Sequence, residues 1–268
     1  MSASPALEPA EALVLRDDSA AGVTTLTLNR PQARNALSVG LMAALQDQVD
    51  AIRDDRAVKV VVLAANGPGF CAGHDLKEIR ANPGRRHYEA LFAQCSRLMV
   101  TVTRLPKPVI AKVHGIATAA GCQLVATCDL AVASSAARFA TPGVNIGLFC
   151  STPMVALSRN VGRKPAMEML LTGDMVDADT AKAIGLVNRV VAPEALDDET
   201  AALAAQIAGK SPMTLATGKE AFYRQLELGL DDAYAYASQV MAENMTRRDA
   251  EEGIDAFIQK RPPEWRGE

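Results

Sequence analysis

Two segments of the chain join a glycine, small neighbours and a change from an extended run to a helix. The first is Phe70-Cys-Ala-Gly-His-Asp-Leu-Lys-Glu78, just after a β-branched run, and the second is His114-Gly-Ile-Ala-Thr-Ala-Ala-Gly-Cys-Gln123. Glycine lets backbone N–H groups turn toward a ligand, and a helix start leaves its first N–H groups without intrahelical partners. Two such loops side by side aim two donors at one oxygen. That arrangement is an oxyanion hole, suited to a thioester carbonyl that gains negative charge as an enolate forms. Small residues ahead of a helix also serve plain packing, and spacing alone leaves both readings open.

Other reactive groups add little. The five cysteines, Cys71, Cys95, Cys122, Cys128 and Cys150, are odd in number and contain no CxxC pair, so a disulfide framework is not expected. Cys122 and Cys128 lie in an apolar stretch and read as small core residues. The three histidines are scattered, and no spacing suits a zinc site, so no metal is expected.

The elements that must position these loops follow from periodicity. Val23–Leu28 alternates like a strand and ends at Asn29-Arg30-Pro31. Ser38 is placed to cap a helix running to about Arg53, with Leu41, Leu45, Val49 and Ile52 along one stripe. Val58–Leu63 is an apolar, β-branched run of the kind buried on both faces. A second long helix is expected from Arg86 to Arg104. The order then repeats: a strand over Pro108–Val113, a helix over Ala119–Thr127 and a strand over Leu130–Ala133. A loop-rich stretch from Phe139 to Pro153 precedes helices around Met154–Val161 and Ala166–Leu171, and helices dominate from Glu194 to Lys260. Alternating strands and helices followed by a helical end imply an α/β core with a helical extension. The organisation expected is a flexible tail over 1–12, a core over 13–200 and a helical region over 201–268.

The chain has 268 residues, 49% hydrophobic and 22% charged, with a net charge of −3. Its Lys and Arg residues are spread out, so no nucleic-acid surface is expected. No apolar run reaches the ~18 residues of a membrane span. Met1–Leu15 contains Glu8 and Glu11 and no basic residue, unlike a signal or transit peptide, so a cytoplasmic location is expected.

A resemblance sharpens this reading. Leu28-Asn-Arg-Pro31 with Asn35-Ala-Leu37, the Phe70–Lys77 segment, Lys107-Pro-Val-Ile-Ala-Lys-Val-His-Gly115, Gly121-Cys-Gln-Leu, Cys128-Asp-Leu, Phe139-Ala-Thr-Pro142, Ala166-Met-Glu-Met-Leu-Leu-Thr-Gly173 and Ala183-Ile-Gly-Leu-Val-Asn188 occur in the order seen in the enoyl-CoA hydratase/isomerase (crotonase) superfamily. The matches span roughly residues 15 to 262. The run Phe139–Pro153 looks closest to the enoyl-CoA hydratase domain-containing proteins. The resemblance implies a spiral of ββα turns with two roughly perpendicular sheets and a C-terminal helical region that forms homotrimers, often paired into hexamers. It also implies an acyl-CoA ligand, with coenzyme A entering as part of the substrate thioester rather than as a separate cofactor, and an activity classed as a lyase of fatty-acid metabolism.

By position, the resemblance makes the backbone N–H groups of His74 and Ala120 the oxyanion donors, with alanine at the second place where the family usually has glycine. The His74 side chain is not needed for that role and reads as a rim residue. Hydration in the family uses two glutamates around one water, one acting as base and the other as acid. Here those positions are Gln123 and Gly143, and no acid follows in Leu148-Phe-Cys-Ser-Thr152. Efficient hydration is therefore not expected, and replacing both residues with glutamate is expected to create or raise it. Cys150 and Ser151 lack an evident base, and Cys150 reads as buried and inert. Asp75 and Glu78 read as helix-start or surface carboxylates, and Asp129 as a structural hydrogen-bonding group. For coenzyme A, the resemblance points to Gln32, Ala33, Arg34, Lys77, Phe257 and Lys260. It leaves two alternatives to hydration: another CoA-thioester reaction built on enolate stabilisation, or a non-catalytic acyl-CoA binder or regulator.

Overall fold

A computed structural model describes residues 12–268; apart from Ala12, the tail expected over 1–12 lies outside the described residues. The chain opens with an antiparallel pair, β1 (Val14–Asp18) and β2 (Val23–Leu28). Ser38 accepts a hydrogen bond from the Leu41 N–H and starts α1 (Val39–Arg53) as its cap. Three turns of one pattern follow, each of two strands and then helix. They are β3 (Val60–Ala65) and β4 (Gly69–Cys71) with α2 (Leu76–Ala81) and α3 (Arg85–Arg104); β5 (Val109–Val113) and β6 (Ile116–Thr118) with α4 (Ala120–Thr127); and β7 (Leu130–Ser134) and β8 (Arg138–Ala140) with α5 (Pro153–Asn160) and α6 (Arg163–Thr172). Then come β9 (Val176–Asp177), α7 (Ala178–Ala183), β10 (Arg189–Val191) and the helices α8 (Leu196–Ala208), α9 (Pro212–Gln225), α10 (Leu230–Met245) and α11 (Arg248–Gln259).

Each turn sends its first strand to one sheet and its second to another. The larger sheet runs β1-β2-β3-β5-β7-β10 and the smaller β4-β6-β8-β9, with β2, β3, β5, β7 and β10 parallel in the first. This is the spiral of ββα units expected from the sequence. The buried strand β3 shows why its residues are apolar on both faces. Val61 and Leu63 join the main core with α1 and α3, whereas Val60 and Val62 join Ile110, Val132, Leu203 and Ala204 beneath α8. The strand begins two residues later than expected because the Val58 N–H closes a turn onto the Asp55 carbonyl. Three strands of the smaller sheet, β4, β6 and β8, have three residues each. Such pieces are too short to carry a period of two, which is why periodicity missed them.

Helix α9 is anchored to this core through a polar node. Lys219 of α9, nearly buried, donates to the carbonyls of Val102 and Lys107 and pairs with Asp129 at 2.7 Å. Asp129 also accepts from the Val109 N–H at 2.7 Å and the Tyr223 hydroxyl at 2.8 Å. The aspartate is a structural hydrogen-bonding group, as its sequence position suggested.

Candidate functional site

The two glycine loops lie against each other. A Cβ on Gly121 would overlap the carbonyl oxygen of Cys71 and stand 2.8 Å from the Cys71 Cβ. One on Gly73 would lie 2.9 Å from the Cβ of Ala119 and 3.3 Å from the backbone nitrogen of Ala120. Gly73 also has φ +90°, a conformation that side chains rarely adopt. The glycines are therefore required on two counts: one fixes a backbone turn, and both let the loops touch.

The backbone donors at this contact are not spent on the fold. In the bridge between Leu37 and His74, the Leu37 N–H donates to the Gly73 carbonyl and the Asp75 N–H donates to the Leu37 carbonyl, so His74 N–H takes no part. Ala120 is the first residue of α4, where an N–H has no intrahelical acceptor. Among the described residues neither N–H has a backbone acceptor outside the regular elements. Ala119 precedes this donor with φ 50° and ψ −119°, the conformation of the first central residue of a type II′ turn, normally glycine. Its own N–H is held by the Ala140 carbonyl at 2.9 Å. The strained peptide sets the direction in which the Ala120 N–H points, a feature that the amino-acid pattern alone did not announce.

Gln123 lies one helical turn after Ala120, and its N–H donates to the Ala119 carbonyl at 3.0 Å. It is 4% exposed, and its Oε1 has no partner. Gly143 is buried beneath the following loop: a Cβ there would stand 2.7 Å from the Leu148 carbonyl oxygen and 2.9 Å from the Cys150 sulfur. This changes the expectation for the double glutamate replacement, because a side chain at Gly143 requires the Leu148–Cys150 segment to shift. Cys150 is buried and burial raises its thiol pKa, consistent with an inert thiol.

The His74 ring is not the rim group that the sequence suggested. It packs edge-on against Phe92 with ring centroids 5.5 Å apart, and neither ring nitrogen has a partner. Burial lowers its pKa below the ordinary 6.5, against the opposing effects of the Leu37 backbone and then the Glu78 charge, so the imidazole is neutral near pH 7. The neighbouring carboxylates serve helix starts. Asp75 caps α2, accepting from the N–H groups of Lys77 and Glu78, and pairs with Arg30 at 2.7 Å. Burial opposes ionisation of Asp75, but Arg30 and these N–H groups hold its pKa below the usual value. Glu78 accepts from the Val39 N–H at 2.9 Å.

The segment Gln32-Ala33-Arg34 is tied to the first loop by Asn35. That fully buried amide accepts from the Arg30 N–H and donates to the carbonyls of Asn66 and Gly69, at 2.8 and 2.9 Å, while the Arg34 carbonyl accepts from the Ala72 N–H. Gln32, Arg34 and Lys77 are exposed beside this junction. Phe257, 85% exposed, and Lys260, the left-handed cap ending α11, belong instead to the C-terminal helical region. Sequence reasoning missed Thr141. It is fully buried at the end of β8, next to the carbonyl that holds Ala119, and its hydroxyl has no partner.

The comparisons with known proteins agree with this architecture. Residues 18–268 match the profile described as enoyl-CoA hydratase/isomerase. Enoyl-CoA hydratase domain-containing protein 3, mitochondrial, of Rattus norvegicus is 46% identical over 263 residues, 98% of this chain and 87% of its own length. The Homo sapiens protein of that name is 48% identical over 244 residues, 91% of this chain and 80% of its own. The crystal structure of enoyl-CoA hydratase from Mycobacterium smegmatis has a TM-score of 0.94 at 60% identity, covering 95% of this chain and 99% of that one. The cytoplasmic expectation is corrected by these findings. The animal relatives are named as mitochondrial proteins, and most of the N-terminal segment from which the location was read lies outside the described residues. No helix among the described residues is long and apolar enough to cross a membrane.

Proposed function

Since the chain belongs to the enoyl-CoA hydratase/isomerase family, we propose that it binds acyl-CoA thioesters and polarises their carbonyl between the backbone N–H groups of His74 and Ala120. The observation that carries this reading is the contact between the Gly73 and Gly121 loops, beside which neither the His74 nor the Ala120 N–H is spent on a backbone acceptor outside the regular elements. Donors preorganised in a water-poor site stabilise a developing oxyanion without reorganising. The exposed Gln32, Arg34 and Lys77 and the backbone of Ala33 are the proposed contacts to the nucleotide and pantetheine. Coenzyme A arrives as part of the substrate.

Hydration needs a base to take a proton from water and an acid to supply one to carbon. Gln123 can orient a water but cannot take its proton, and Gly143 offers only backbone. Loss of a positioned acid or base costs roughly 10²–10⁴ in rate. The proposed activity is therefore thioester binding with enolate stabilisation, and crotonyl-CoA hydration is slow or absent although the family is that of a lyase. The exposed apolar residues Leu230, Tyr234, Phe257 and Ile258 on α10 and α11 support a homotrimeric or hexameric assembly, in which Phe257 and Lys260 reach a neighbour's nucleotide.

The test measures crotonyl-CoA hydration by loss of enoyl absorbance, beside calorimetric binding of acetyl-CoA. Binding with little turnover supports the reading. Turnover at a rate typical of efficient hydratases means that other groups replace both glutamates, and the site assignment fails. Absence of acetyl-CoA binding removes the acyl-CoA reading itself.

A further inference from the structure

Helix α11 carries Phe257 and leads into Lys260, yet it is barely buried. Of its residues only Asp249 and Ala256 lie inside, while Phe257 and Ile258 are 85% and 70% exposed. Burial of an apolar face, which holds most helices in place, does little to fix where this one lies. Polar contacts do so instead, and they run through residues 261–268, which double back along the helix.

Three clasps hold this segment. At the start of α11 the Asp249 carboxylate, 2% exposed, accepts from the Ser211 hydroxyl and from the N–H groups of Arg266 and Gly267 at 2.8 and 2.9 Å. The Asp249 N–H in turn donates to the Glu268 carbonyl. Ser211 is also the cap of α9, so this clasp joins two helices to the segment. Further along α11, Glu252 accepts from both terminal nitrogens of Arg261, at 2.6 and 2.8 Å, and from the Glu264 N–H. The third clasp is Trp265. Its indole donates to the Gly209 carbonyl just past α8, and its ring lies on Gly253, where a Cβ would stand 3.1 Å from a ring carbon.

Lys260 sits at the reversal itself. It holds φ 56° and ψ 40°, a left-handed conformation that costs free energy in any residue with a side chain. The Arg261 N–H closes the turn onto the Ala256 carbonyl at 3.0 Å, and the fork between Arg261 and Glu252 ties the next residue back to the helix. The turn that directs Lys260 is thus held by the segment that follows it.

We propose that residues 261–268 act as a strap that positions Phe257 and Lys260 for the nucleotide of an acyl-CoA ligand, with Asp249 and Glu252 as its positioning residues. The inference rests on the proposed reach of Phe257 and Lys260 and deepens it by naming what holds them. The charge of Glu252 makes the role testable by sign. A carboxylate bonded to the residue beside a phosphate-binding lysine disfavours the anion through space, so its removal by charge alone predicts tighter binding. Positioning predicts weaker binding.

The experiment measures calorimetric affinities of the full chain for acetyl-CoA and for acetyl-pantetheine, the same thioester without the nucleotide. Lys260→Ala should weaken acetyl-CoA binding roughly three- to tenfold, as for a lost charge-assisted contact, and leave acetyl-pantetheine unchanged. Glu252→Ala should do the same, and the double variant should lose no more than either alone, because both act on one contact. Trp265→Phe, which removes one strap hydrogen bond without altering charge, should shift acetyl-CoA in the same direction and carries the test if Glu252→Ala does not fold. Acetyl-CoA bound as tightly or more tightly by Glu252→Ala, with Lys260→Ala weakened, overturns the strap and leaves the nucleotide contact standing. Losses that multiply in the double variant, or that extend equally to acetyl-pantetheine, overturn it as well. Unchanged acetyl-CoA affinity in Lys260→Ala removes the nucleotide contact and the role of the strap together.

Discussion

Ala119→Gly isolates the strain at the start of α4. Ala119 holds φ 50° and ψ −119°, where a Cβ crowds the backbone and only glycine is at ease. A residue held in such a region costs of order 1–3 kcal/mol, borne because the surrounding structure fixes it. Two effects oppose relief. Glycine loosens the unfolded chain, at about 0.4–1 kcal/mol. The Ala119 methyl also packs against the main core, and losing it removes up to about 0.8 kcal/mol of burial. The balance runs from about 0.8 kcal/mol against glycine to about 2.6 kcal/mol in its favour, with a central value near 1 kcal/mol. In a chain of this size that raises the melting temperature by about 2–4 °C. The assay is thermal unfolding at a single protein concentration, since an oligomer's midpoint depends on concentration. Acetyl-CoA affinity is measured on the same samples. Destabilisation of more than about 1 kcal/mol would show that Ala119 is not strained in the folded chain, and would remove the account of how its peptide aims the Ala120 N–H.

Gly121→Ala has the opposite sign, since the added methyl overlaps the Cys71 carbonyl oxygen; overpacking of roughly 1–3 kcal/mol and loss of acetyl-CoA binding should appear together in melting and calorimetry. Asp129→Ala leaves Lys219 buried without its counter-charge, and should cost about 3–5 kcal/mol in denaturant unfolding, with Asp129→Ala/Lys219→Met recovering much of the loss. His74 has a lowered folded-state pKa, so the unfolded chain binds its proton first: stability falls as pH drops below about 6.5 and levels off below the folded value, and His74→Gln should flatten that part of a pH series of melting curves. For hydration, Gln123→Glu with Gly143→Glu should raise crotonyl-CoA turnover only if the Leu148–Cys150 segment yields; a crystal structure of the double variant with that segment unmoved and turnover raised contradicts the packing described for Gly143.

The parts of the molecule legible in the sequence are those whose signal is repeated over many residues. The stripe Leu41, Leu45, Val49, Ile52 and the cap Ser38 specified α1, and the alternation of Val23–Leu28 specified β2. The smaller sheet was invisible because β4, β6 and β8 derive their stability from the neighbouring strand rather than from their own pattern. The site divided in the same way. Glycine loops before helices are visible as residue types, but which glycines touch is a tertiary fact, revealed by Gly121 against Cys71 and Gly73 against Ala119. Thr141 and the conformation of Ala119 left no trace at all, since threonine after a strand and alanine before a helix are unremarkable until their surroundings are known. Asn35 lies between: its place in Asn35-Ala-Leu37 drew attention to it, but its role as the tie between two segments needed three hydrogen bonds to be seen.

The division between backbone and side chain explains how one fold can keep a binding site while its acid–base groups change. The proposed oxyanion donors are peptide N–H groups, which any residue supplies provided that the turn is right; alanine at 119 and 120 keeps these N–H groups and places the burden on conformation instead. The strands beneath, Gly69–Cys71 and Ile116–Thr118, pair in parallel and hold both loops at one height, independently of what occupies positions 123 and 143. Proton transfer has no such backing, because it resides wholly in the side chains that these two positions carry. On the function proposed above, glutamine at 123 and glycine at 143 leave the chain without those acid–base groups while its backbone donors stay in place.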